Sequence, residues 1–128
     1  MILYTLANFW HSSYAKTLSV RINFIVSVVL NILSWVIIYI KIHPFSYLVE
    51  SGTIPLHYNI YFGIDLYGKW YLAFIIPITA LFFILINNVL AYLFWNKEKV
   101  LSLFLIYFQS VLSLILFMAS VFLILLNI

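Results

Sequence analysis

The chain has no cysteine among its 128 residues. Disulfides, thiolate metal sites and thiol nucleophiles are therefore excluded, and the redox state of its compartment leaves no mark on it. Charge is scarce as well. Asp, Glu, Lys and Arg make up 7% of the residues, against about 25% in a soluble domain, which excludes an aqueous globular fold. The six basic residues are scattered among connections and outnumber only three acidic ones. No stripe of them could follow a phosphate backbone, so nucleic acid is not an expected partner. Glycine and proline, at three each, are too few to interrupt the long stretches between them.

Apolar sequence fills the space. Hydrophobic residues account for 67% of the chain and mean hydropathy is +1.20. Three runs, 22–40, 70–96 and 100–128, contain no Asp, Glu, Lys or Arg at all. A hydrocarbon core about 30 Å thick needs roughly 20 helical residues, so each run is long enough to cross. One charge at mid-span would cost about 2.5–3.5 kcal/mol, which explains why the charges stay in the connections. The expectation is an all-α integral membrane protein, one domain over 1–128, with three transmembrane helices at 22–41, 70–96 and 100–127.

The N-terminus lacks the order of a cleavable signal, because its apolar residues precede Lys16 and Arg21 rather than follow them. The first span is then an uncleaved anchor. Residues 1–21, with Trp10, Tyr14 and Lys16, read as a short interfacial segment lying at the membrane surface, or alternatively as a frayed polar tail. Lys16, Arg21, Lys97 and Lys99 fall on one side of the spans and Lys41 and Lys69 on the other. The positive-inside rule thus places the N-terminus inside, the C-terminus outside and the 42–69 connection outside, in a bacterial inner (cytoplasmic) membrane.

Residues 96–99 leave so short a link that the second and third spans are expected as a tight antiparallel hairpin. Trp70 and Tyr71 at one end of the second span, and Tyr92 and Trp95 at the other, suit the two interfaces. Pro77 removes a backbone donor there, so a kink is expected, with neighbouring helices satisfying the freed carbonyl.

Polar residues within the spans follow a helical period. In the third, Ser102, Gln109, Ser113, Ser120 and Asn127 recur at intervals of seven, four, seven and seven, which holds them on one face. Asn23, Ser27, Asn31 and Ser34 repeat this in the first span, and Thr79, Asn87 and Asn88 lie in the second. Hydrogen bonds between membrane helices average roughly 0.6 kcal/mol, so Asn31, Ser102, Gln109, Ser113 and Ser120 are expected to pack helix against helix. The competing reading, a polar pathway, would call for ionisable residues that the spans lack. Covalent haem attachment and axial ligation by a histidine inside a span are disfavoured for want of the ligands, and no cofactor is expected. A noncovalent lipid or pigment stays open.

The connection at 42–69 concentrates the remaining chemistry. It holds His43 and His57, Glu50 and Asp65, and every glycine. Gly63 and Gly68 suit turns, and Tyr58, Tyr61, Phe62 and Tyr67 suit the headgroup zone. One reading has His57, Asn59 and Asp65 capping turns and bonding loop backbone, with Lys69 snorkelling to headgroups. Another has His57 and Asp65 binding a metal with His43 or Glu50. A third has them activating Ser46 or Ser51 for hydrolysis, although nothing fixes a nucleophile beside a base. No catalytic residue is assigned.

Ile54, Pro55, His57, Tyr58, Asn59, Gly63, Asp65, Tyr67 and Gly68 follow the order of a short motif, I-P-x-H-aromatic-N, then G, then D-x-aromatic-G. In this the stretch resembles a bacterial membrane domain of unknown function that also occurs in Sdp-type toxin immunity proteins. The gap between Asn59 and Gly63 is longer than in that motif, Ile64 stands where proline is often found, and the further spans of the immunity proteins are missing. The resemblance implies a shared loop before a two-helix hairpin, and an immunity-like role in which His57, Asn59 and Asp65 contact a toxin. The residues themselves favour a small non-catalytic structural or accessory subunit of a larger membrane assembly. Its partners would be membrane lipid and other transmembrane subunits or copies of itself. An oligomeric pore or transporter component is the third reading.

Overall fold

A computed structural model describes residues 11–48 and 52–127. Three helices are long and apolar enough to cross a membrane: Leu18–Pro44, Trp70–Phe94 and Lys99–Asn127, with mean hydropathies of 2.2, 2.3 and 2.4. At about 1.5 Å per residue, the shortest of these, with 25 residues, extends beyond a hydrocarbon core of about 30 Å. In order the elements are α1 (Ser13–Lys16), α2 (Leu18–Ser46), β1 (Thr53–Asn59), β2 (Gly63–Lys69), a 3₁₀ turn (Trp70–Phe74), α3 (Ile75–Phe94) and α4 (Lys99–Asn127).

The two-stranded antiparallel sheet corrects the all-α expectation, since the greater part of the 42–69 connection is a β-hairpin. Its turn is closed by Asn59, whose Oδ1 accepts the Tyr61 N–H at 2.9 Å. Gly63 follows at φ 74°, a left-handed conformation that L side chains adopt only at a cost. Pro55 and the scattered glycines read as loop signals, but Pro55 has no N–H to lose, and its carbonyl accepts from Asn127 Nδ2 at 2.8 Å. The helical part of the connection also differs from expectation, because α2 runs through Pro44 to Ser46.

Pro77 is expected as a kink a third of the way along the second span, and the structure places it at a helix start instead. The second span opens as a 3₁₀ turn and becomes α-helical at Ile75, so Pro77 lies in the first turn of α3. The missing donor there is one the helix start leaves unpaired anyway. Its carbonyl accepts from Asn31 Nδ2 at 2.8 Å.

Two buried clusters hold the helices at opposite ends. Tyr14, Ala15, Val20, Ala91, Trp95 and Ile106 form one. Ile38, Ile42, Ile54, Ala73, Leu123 and Ile124 form the other, and they tie β1 to the ends of α2 and α4. Between them Ser110 Oγ donates to Asn23 Oδ1 at 2.7 Å and Asn88 Nδ2 donates to Gln109 Oε1 at 2.6 Å. Most large side chains on the outer faces are exposed, Phe82, Phe104, Phe122 and Leu125 among them.

Of the segment before the first span, 1–10 lies outside the described residues, and the rest docks on the helices. Tyr14 is 1% exposed. It donates to Asn88 Oδ1 at 3.0 Å and packs edge-on against Tyr92 and Trp95. Trp95, foreseen as an interfacial ring, is buried too, with its Nε1 donating to Ser13 Oγ at 2.9 Å. Hydrophobicity alone cannot say which way such a ring points.

Burial pushes the Tyr14 phenol up from 10.0 to about 12. An unfolded chain loses this proton near 10 and the folded chain keeps it to about 12. Folded protein therefore binds more protons across that window, and stability present below pH 10 falls as pH rises through it. Ultraviolet titration of the tyrosines should show a late step that Tyr14→Phe removes.

Candidate functional site

The β-hairpin brings together two residues eight positions apart in sequence. His57 Nδ1 and Asp65 Oδ1 lie 2.7 Å apart across the strands, with side chains 62% and 37% exposed. The register explains how they meet. Pairing runs from Thr53 with Lys69 to Pro55 with Tyr67, then shifts so that His57 faces Leu66 and Tyr58 faces Ile64. Leu56 and Asp65 are left without a partner in the ladder, and such a bulge re-aims side chains. Leu56 packs on the lower core cluster, while Asp65 meets His57.

A carboxylate on Nδ1 fixes the imidazole's orientation. In the neutral tautomer with the proton on Nδ1, the Nε2 lone pair is left free. Exposed pairs of this kind stabilise a fold by about 0–1 kcal/mol, so the contact orients the ring more than it holds the strands. The same hairpin holds large side chains in the open: Tyr58, Ile60, Tyr61, Phe62 and Tyr67 are all well exposed.

The other candidates go elsewhere. Asn59 builds the turn and does not join the pair. His43 stacks on Tyr39, stands edge-on to Trp70 and shares a hydrogen bond between Nε2 and Tyr47 Oη at 3.2 Å. Glu50 and Ser51 lie outside the described residues. Among the described residues no group of three His, Asp or Glu side chains could hold a metal.

The polar residues of the spans point inward. Ser102 Oγ donates to Ala91 O at 2.6 Å, Asn31 and Gln109 make the contacts given above, and Ser113 is buried. Ser120 donates to Leu116 O within its own helix. Ser110 bonds Asn23, and the stripe at intervals of seven and four missed it because it neighbours Gln109 in sequence. Asn87 Nδ2 and Gln109 Nε2 are buried without a partner among the described residues. An orphaned buried donor costs about 1–3 kcal/mol, so Asn87→Leu should leave thermal stability in detergent unchanged or higher, whereas Asn88→Leu, which strips partners from both Tyr14 and Gln109, should lower it.

No family model, curated protein or solved structure matches this chain.

Proposed function

We propose that this is a small non-catalytic integral membrane protein serving as an accessory subunit of a larger membrane assembly. One observation carries the reading. The polar side chains of the three long helices bond to one another, as in Asn23 with Ser110, Asn88 with Gln109 and Asn31 with the Pro77 carbonyl, and the outer faces are left apolar. Polar groups used as helix glue build a scaffold, and broad apolar faces suit lipid or neighbouring spans. In this reading α3 and α4 form the antiparallel hairpin at its centre. The docked N-terminal segment and the α3–α4 turn face the cytoplasm, where Lys16, Arg21, Lys97 and Lys99 gather, and the β-hairpin faces outward. Extraction in mild detergent followed by sizing and mass spectrometry tests it: stable companion chains are expected, and a lone 15.0 kDa chain would contradict it.

A second reading, capture of a peptide or toxin in the manner of an immunity protein, is favoured by the exposed aromatic rings of the hairpin that carries the His57–Asp65 pair. Alanine at both positions should then abolish protection at unchanged expression. Protection that survives the double substitution rules it out.

A further inference from the structure

Beneath β1 lies a groove of about 730 Å³. Its walls come from the outer face of α4, through Ala119, Phe122 and Leu126, from Ile76 at the start of α3, and from Leu56 on the hairpin above. Ala119 is the smallest side chain in this wall. The helical walls belong to apolar spans, so the groove opens sideways onto whatever surrounds those spans. His57 and Tyr58 are the polar residues lining it, and His57 carries Asp65 behind it.

We infer that the groove seats an acyl chain of a bilayer phospholipid whose headgroup carries an ammonium, with that ammonium held at the His57–Asp65 pair. An apolar trough with its polar side chains gathered on the hairpin is complementary to an amphiphile, and its volume lies within the usual range of ligand sites, about 300–1,000 Å³. The charge at its mouth selects the headgroup. Asp65 uses Oδ1 on His57, and no other ion pair to it is present among the described residues. Its second oxygen is an acceptor, and so is Nε2 of His57 in the neutral tautomer with the proton on Nδ1. They suit a donor-rich cation such as ethanolamine, while a methylated choline offers them no N–H and an anionic glycerol headgroup meets a carboxylate.

This inference is independent of the accessory-subunit reading, because it is tested on the isolated chain. The detergent-purified protein is loaded with phosphatidylethanolamine, phosphatidylcholine or phosphatidylglycerol of matched chains, and retained lipid is counted by native mass spectrometry. Ethanolamine lipid should be retained about fivefold over choline lipid, the worth of one partly exposed polar contact. Asp65→Asn should erase that preference while leaving chain binding, and Ala119→Phe, which adds a ring to the trough from α4 and leaves the His57–Asp65 pair unaltered, should shed all three. Equal retention by the native chain, a preference for the glycerol lipid, or an Ala119→Phe variant that still holds lipid would overturn the inference. So would a groove occupied by a second copy, seen as a lipid-free dimer.

Discussion

Ile84→Asp should prevent the second span from entering or remaining in the membrane. Ile84 is 2% exposed and lies near the middle of Trp70–Phe94. A carboxylate at mid-span costs about 2.5–3.5 kcal/mol on insertion scales, equivalent to roughly a hundredfold shift in the inserted fraction. Here the penalty deepens, because Ile84 faces neighbouring helices and the side chain cannot escape along a lipid face. Asn88, one turn on, uses its amide on the Ile84 carbonyl and on Gln109, so it has no donor to spare for a new anion. Ile84→Val supplies the control, at about 0.5–1.5 kcal/mol. A glycosylation-mapping assay on the two variants should separate them clearly, and an aspartate variant that inserts like the valine would refute the placement of Ile84.

Ala91→Phe should have the next largest effect, by a different route. Ala91 is fully buried among Tyr14, Trp95 and Ile106. Its carbonyl takes the Ser102 hydroxyl at 2.6 Å, a contact available only while α3 and α4 stay close. Overpacking such a site costs about 1–3 kcal/mol. The ring would also displace Tyr14, which reaches this cluster from a four-residue helix. Two readouts should therefore move together: melting temperature in detergent falls, and the late tyrosine titration returns toward the ordinary range. Ala91→Ser, nearly the same size, should move neither.

The contrast between these sites shows what sequence can carry. The spans were legible because hydrocarbon thickness sets a length and forbids charge, and three runs satisfy both conditions. Inward faces were legible from periodicity: Asn31, Ser102, Gln109, Ser113 and Ser120 are all buried. Ser110 shows the limit, since a period assigns a face but not a partner on another helix. The hairpin was hidden for a different reason. Strand pairing between 53–59 and 63–69 depends on a bulge at Leu56 and on support from Asn127, both invisible in local composition, while Pro55 and Gly63 suggested only a loop. His57 and Asp65 were singled out by residue type, yet the register alone makes them neighbours. Tyr14 and Trp95 looked interfacial because aromatic rings with a polar tip suit that zone equally well whether they face headgroups or a neighbouring helix.

Everything here depends on the three long helices threading a bilayer. The absence of cysteine permits a direct measurement with a membrane-impermeant thiol reagent on sealed cells or vesicles. Single cysteines replace Lys16, Glu98 and Tyr61, which lie respectively in the docked N-terminal segment, the α3–α4 connection and the hairpin tip. Labelling of the first two from one side and of Tyr61→Cys from the other is the expected result; labelling of all three from the same side would contradict the account.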